Sequence, residues 1–314
     1  MGTDDKTVKP AGQGGVASQA KALVKALRPG QWIRNGLVFF PLVFSVQVAW
    51  SLNNLDPVPG LAVRLLVLFA AFCALSSAVY LFNDLADREA DRQHPVKRLR
   101  PIASGKVRVP TALTILAVLA AAGLAAMVLV EQVLGAIGLL YLAINAAYSL
   151  GVKRIVMLDV LAVASGYLIR AVAGAVAIGV TPSPWLYVTT GTGALFIVLG
   201  RRYAEARLAG ESAAGQRPVL SKYAGAFIGQ CITISAAAAW LSYTLYTVEA
   251  KNLPENNTML LTLPMVTFGL FRYLYLLNTS RKAEAPEQMI LRDAPLVLSI
   301  LCWMGVSALV LLLN

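Results

Sequence analysis

The chain has 314 residues, 58% of them hydrophobic and only 14% charged, with a net charge of +11 from 27 Lys+Arg against 16 Asp+Glu. Soluble domains carry about 25% charged residues, so this composition excludes a water-exposed globular fold, and equally a disordered chain, a collagen-like repeat or a disulfide scaffold. A single histidine, and three cysteines set inside apolar runs (Cys73, Cys231, Cys302), exclude a Cys/His zinc site; the cysteines read as small buried hydrophobes.

Residues 1–20 are polar and lack the apolar stretch of a signal peptide, so they read as a disordered tail ahead of one transmembrane domain, 21–314. A bilayer core of about 30 Å needs roughly 20 apolar residues in helical form. Nine stretches qualify: 36–52, 61–82, 111–130, 132–150, 155–179, 185–200, 224–247, 258–277 and 295–313, the first broken by Pro41 and the first and sixth short. The runs are continuously apolar rather than alternating, which excludes a β-barrel. If the N-terminus is cytoplasmic and every stretch crosses, the inside segments hold 23 of the 27 Lys+Arg. This asymmetry predicts a multi-pass protein of the bacterial plasma membrane with its N-terminus inside and its C-terminus outside. The expected fold is an all-α integral membrane protein, a bundle of nine transmembrane helices around a cytoplasm-facing polar cavity. The membrane bilayer is its medium; no nucleic-acid partner is expected, and a homo-oligomer is left open. Two inside connections, 83–110 and 201–223, are long, and function collects on long connections.

The second span runs into NDLADREADRQHPVKRLRPIASGKV, starting at Asn83. At about 100° per residue, Asn83, Asp84, Asp87 and Asp91 fall on one helical arc roughly 100° wide, while Glu89 points elsewhere. Carboxylates crowded on one face repel each other unless a cation sits between them. An all-oxygen set selects a hard ion, so Mg2+ bridging these residues to substrate phosphates is the expected cofactor. Lys97, Arg98 and Arg100 follow directly, and with the metal they describe a pyrophosphate clamp. His94 precedes Pro95 and reads as a turn residue rather than an acid–base catalyst.

Further along, Asp159 and Arg170 lie in the fifth span, eleven residues apart, which places them on one face about 16 Å apart. They cannot pair, and the simplest reading is that both line one polar cavity. Arg64 reads as snorkelling near an outer surface, and Arg272 as either a lipid contact or a cavity residue. Trp32 fits an interfacial anchor. The loop from Arg201 holds five cations and only Glu205 and Glu211 as acids, so it cannot build a second acidic metal clamp. Its cations offer sites for additional phosphate, or else merely follow the positive-inside rule or touch anionic lipid.

The N-D-x-x-D-x-x-x-D pattern closing the second span resembles the first signature of the UbiA-type intramembrane transferase superfamily, whose members are nine-helix bundles binding Mg2+–diphosphate above a lipid-accessible cavity. The stretches LRPGQWIRNGLVFFPLVFS, DRQHPVKRLRPIASG, YSLGVKRIVMLD and GRRYAE are similar to the decaprenyl-phosphate phosphoribosyltransferase branch. The resemblance runs from about Leu27 to the last span. It implies Tyr148 and Lys153 at the donor phosphates, Asp159 as an acid beside the cavity, and Arg34 and Asn35 near a lipid phosphate. It also implies transfer of a 5-phosphoribosyl group from phosphoribosyl pyrophosphate to a polyprenyl phosphate. On the loop's charge, Arg201 and Arg202 would take the other phosphate, and Glu205 is counted among the substrate-binding residues. The expected catalytic set is Asp87, Asp91, Lys153 and Asp159; Asp84 and Arg170 join the substrate-binding residues. Two rival readings are a prenyl transfer to an aromatic or haem acceptor, and a transporter using Asp159 and Arg170 as a relay.

Overall fold

A computed structural model describes residues 16–209, 223, 225–250, 253, 256–279 and 286–313. Apart from two isolated bridges near residues 46–54, everything regular in it is helical. Seven helical stretches among the described residues are long and apolar enough to cross a bilayer. They correspond to seven of the nine expected spans.

The helices are α1 (Val16–Leu27), α2 (Phe40–Phe44), α3 (Pro57–Ala86), α4 (Arg88–Gln93), α5 (Val109–Val130), α6 (Gln132–Leu150), α7 (Leu158–Ala177), α8 (Pro184–Ala209), α9 (Gly225–Glu249), α10 (Leu263–Thr279), α11 (Pro286–Arg292) and α12 (Ala294–Leu313). Residues 16–20, expected in a disordered tail, instead begin α1; residues 1–15 lie outside the described residues. Helix α1 docks because Ala22 and Ala26 present a small apolar face to Leu81, Ile102 and Ala112. The first expected span is not a continuous α-helix. It is a 3-10 helix Pro29–Phe39, then α2, then turns through Gln47, whose φ is 64°. Pro29 and Pro41 remove backbone donors there and favour this broken path. The sixth expected span overruns its apolar limit: α8 continues past Arg201 to Ala209. Counting apolar residues stops at a charge, but hydrogen bonding does not.

Helix α3 has 30 residues, about 45 Å of rise against a hydrocarbon core of about 30 Å. Pro57 lies in its first turn, where a missing N–H costs nothing. The helix is therefore long enough for its far end to carry Asn83 and Asp84 beyond an apolar layer of that thickness. Helices α5 and α6 form a hairpin joined at the extended residue Glu131 (φ −162°). Arg64 from α3 donates to the carbonyl of Val130 at 2.7 Å, satisfying an orphan group at the end of α5. Much of α5 turns apolar side chains outward, Val118, Val128 and Leu129 among them, as a lipid-facing helix does.

Helix α7 is the hinge between two cores. Val160 and Ala164 belong to a cluster with Phe196, Leu199, Ile228, Tyr273 and Leu296 from α8 to α12. Ile169 and Ala173 belong to a second, with Val38, Leu68, Phe72, Met127 and Leu134. The broken first segment comes closest to the α7 backbone at Gly174, where a Cβ would collide with the Val38 carbonyl oxygen. Gly174→Ala is therefore expected to cost about 1–3 kcal/mol of stability by overpacking, read as a lower thermal midpoint in detergent. Helix α7 ends at Gly179 (φ 72°), the left-handed stop that lets Val180 N–H bond Ala175 O.

On α10, Arg272 makes a two-pronged bond to Asp293 at 3.0 and 2.8 Å. It is thus neither a lipid contact nor a cavity residue; it ties α10 to the start of α12. That guanidinium holds the Asp293 carboxyl below its usual range, so the pair stabilises at neutral pH and its contribution is lost on strong acidification.

Candidate active site

The acidic motif sits where α3 gives way to α4. Asp87 leaves helical geometry (φ −92°, ψ 2°), so the projection onto a single arc does not carry through it. The structure brings Asp84 and Asp91 together and turns Asp87 and Asn83 elsewhere. One guanidinium nitrogen of Arg100 lies 3.2 Å from Asp84 Oδ1 and 2.7 Å from Asp91 Oδ2. Both carboxylates are nearly inaccessible, 2% and 3% exposed. Arg28 donates to the same Asp84 oxygen at 2.6 Å and stacks over the Tyr80 ring. Asp87 takes Lys153 Nζ at 2.5 Å, and Asn83 accepts from Ser149 at 3.2 Å. Lys97 and Arg98 occupy the turn just before Arg100, with Arg98 exposed. His94 Nδ1 accepts the N–H groups of Val96 and Lys97, a turn-forming role.

A second ionic network adjoins the first. Arg202 donates to Asp159 at 2.9 Å, to Glu205 at 2.7 Å and to the Tyr148 hydroxyl at 3.3 Å. Arg201 bonds the other Glu205 oxygen at 2.9 Å. Asp159 is fully buried, and its remaining oxygen accepts the Tyr223 hydroxyl at 2.5 Å. Burial, and then the neighbouring Asp159 carboxylate, push the Tyr223 pKa up, so its hydroxyl stays protonated and donates. Tyr148 and Ser149 are consecutive at the end of α6, one facing each network. The 3-10 turn Val152–Arg154 then delivers Lys153 to the first network and Asp159 to the second.

Arg170 belongs to neither. It is buried and donates to Asn35 at 2.7 Å, to the Tyr141 hydroxyl at 3.0 Å and to Gly166 O. Asn35 in turn donates to Cys73 and Ser76 on α3, two to three turns below Asp84, or roughly 12–16 Å along the helix. The expectation that Asp159 and Arg170 line one polar cavity fails: each is consumed by its own partners. Trp32, expected as an interfacial anchor, donates to Ser77 on α3.

Arg34 does face open space. It lines a cavity of about 1090 Å³, otherwise largely apolar, walled by Phe40, Tyr167, Trp185, Leu186 and Trp303. The first segment, α7, α8, α9 and α12 enclose it.

The donor chemistry suits Mg2+. A cationic nitrogen already stands where two buried carboxylates meet, and a small hard ion placed there would face both. No group of three or more His, Cys, Asp or Glu side chains in a metal-holding arrangement occurs among the described residues. Mg2+ needs no such cage, since it typically takes one or two carboxylates and completes its shell with water and substrate phosphate.

Two side chains bonded into this candidate site carried no signal in the sequence. Arg28 lies inside the stretch that carries the resemblance; between α1 and Pro29 it takes a left-handed conformation, φ 53°, and its side chain reaches Asp84 on α3. Tyr223 gives no periodic or compositional signal.

The model of the UbiA prenyltransferase family matches residues 38–311. The chain belongs to this family. The UbiA-family chain is 36% identical over 289 residues to a decaprenyl-phosphate phosphoribosyltransferase of Mycobacterium tuberculosis, covering 92% of this chain and 94% of that one. It is 34% identical over 291 residues to the protein of that name from Mycolicibacterium smegmatis, covering 90% of each. A UbiA homologue from Archaeoglobus fulgidus, solved bound to GPP and Mg2+, shares the fold with a TM-score of 0.68 at 16% identity, covering 92% of this chain and 99% of that one. The protein is thus a multi-pass, all-helical membrane transferase of the UbiA fold.

Proposed function

We propose that this transferase moves a 5-phosphoribosyl group from phosphoribosyl pyrophosphate to a polyprenyl phosphate, a precursor step for cell-wall arabinan. The similarity over nine-tenths of the chain to two decaprenyl-phosphate phosphoribosyltransferases carries the reading. The replacement of a second acidic motif by the Arg201–Arg202–Glu205 cluster supports it.

In the reaction, the anomeric C–O bond to pyrophosphate breaks and an oxygen of the lipid phosphate bonds the same carbon. Pyrophosphate departs with the electron pair. The acceptor oxygen is already ionised, so no strong general base is required. Mg2+, held by Asp84 and Asp91, would neutralise charge on the leaving group, while Asp87 holds Lys153 and Asn83 holds Ser149. Arg100, Arg28 and Lys153 each stand one hydrogen bond from those carboxylates, placed to grip the pyrophosphate oxygens, with Lys97 and Arg98 at the rim. Arg201 and Arg202, backed by Glu205 and Tyr148, would take the 5-phosphate. Arg34 would meet the lipid phosphate at the mouth of the apolar cavity. Asn35, expected near that phosphate, is instead buried and bonded to Arg170, Cys73 and Ser76, and Asp159 works by orienting Arg202. Catalysis then consists of holding two anions in line and stabilising the one that leaves. The charged end of the bundle would face the cytoplasm of a bacterial plasma membrane, where phosphoribosyl pyrophosphate is made.

The test supplies purified protein with Mg2+, polyprenyl phosphate and radiolabelled phosphoribosyl pyrophosphate, and follows label into the lipid fraction. Labelled lipid is the expected result. Turnover of a prenyl diphosphate with no labelled lipid would overturn this reading in favour of prenyl transfer.

A further inference from the structure

The short segment from Gly151 to Asp159 has an unusual construction. It must leave α6, present Lys153 to Asp87, and enter α7 at Leu158, all within a few residues. Met157, immediately before α7, has φ 68° and ψ −37°, a region that a residue with a Cβ occupies only when its surroundings insist. The Tyr223 hydroxyl supplies the insistence. Its oxygen accepts the Met157 N–H at 2.9 Å while its proton goes to Asp159 Oδ1 at 2.5 Å. One hydroxyl therefore pins the strained residue and the buried acid two positions on. From Met157 the constraint passes back along the backbone: Asp159 N–H bonds Ile155 O, Ile155 N–H bonds Val152 O, and Arg154 N–H bonds Gly151 O. Lys153 lies inside that ladder.

We propose that Tyr223 is a positioning residue for the transferase: by clamping Met157 in its positive-φ conformation it sets the turn that holds Lys153 on Asp87. Its relevance to catalysis rests on the function proposed above; the mechanical link does not. Tyr223 touches none of the three carboxylates of the acidic motif, and acts on the first ionic network wholly through the chain between Met157 and Lys153.

The link is read in the substrate-free protein by amine-reactive labelling and mass spectrometry. Lys153 is held in its ion pair and largely shielded, whereas Lys21 and Lys25 on α1 are exposed and serve as internal references. Tyr223→Phe keeps the ring and removes the hydroxyl. It should raise the Lys153 labelling rate about tenfold relative to Lys21 and Lys25, the scale of one lost hydrogen bond. Glycine takes positive φ without steric cost, so adding Met157→Gly to Tyr223→Phe should return Lys153 labelling most of the way to the wild-type rate. Transfer activity should fall and recover in step. Unchanged labelling in Tyr223→Phe would overturn the proposal, and so would a rise that Met157→Gly fails to reverse. Because labelling needs no substrate, a wild-type protein that transfers no phosphoribose would sink the proposed reaction and leave this result standing.

Discussion

Asp91→Asn is expected to lower magnesium-dependent transfer by about 10²–10³-fold, the scale of losing one preorganised electrostatic contact in a catalytic site. The substitution is isosteric, so packing at this 3%-exposed position survives. The charge does not. Arg100 now bridges two carboxylates from one nitrogen, at 2.7 and 3.2 Å; with Asp91 neutral it is drawn wholly to Asp84, and the seat for a bridging divalent ion keeps half its negative charge. Arg100 still has Asp84 and is itself partly exposed, so folding should change little. Initial rates of label incorporation across a Mg2+ titration, with a melting curve as control, check this. A wild-type rate at every Mg2+ concentration would remove the acidic motif from the mechanism.

Arg202→Met is expected to produce the largest loss of stability, about 3–5 kcal/mol, because it leaves the fully buried Asp159 carboxylate without a counter-charge. For a domain of this size that corresponds to a thermal midpoint lower by roughly 10 °C. The double variant Asp159→Leu with Arg202→Met removes both charges and should recover most of the midpoint, since a buried pair exchanged for apolar groups is close to neutral. It should recover no transfer, because the guanidinium proposed for the 5-phosphate is gone. Single and double variants with equal midpoints would show that the pair is not sealed from water. The contrast is Arg272–Asp293, whose members are partly exposed; breaking it should move the midpoint far less.

Most of the helices could be read directly from the chain, because a lipid environment demands long apolar runs and backbone hydrogen bonds closed within each segment. The errors fall where that demand lapses. Around Pro29 and Pro41 the chain takes 3-10 and turn geometry, and beyond Arg201 helix α8 runs on past the end of its apolar stretch. In the site, the carboxylates were legible because acidic residues clustered at the end of a membrane span have few structural uses. Their partners were not. Arg28 meets Asp84 across 56 residues of sequence and Tyr223 meets Asp159 across 64, separations that only the folded bundle closes. Arg170 shows the converse: helical spacing placed it correctly on the face of Asp159, yet spacing says nothing of what the neighbouring segment supplies, and Asn35 claims it.

The overshoot of α3 has a bearing on how the two substrates would meet. A 30-residue helix whose acidic end passes the oily layer would deliver those groups to the depth at which phospholipid headgroups ride. On the proposed reaction, the greasy acceptor would never be lifted from its leaflet: it would arrive by two-dimensional diffusion with its tail still immersed, and only the sugar donor would make the journey from solution.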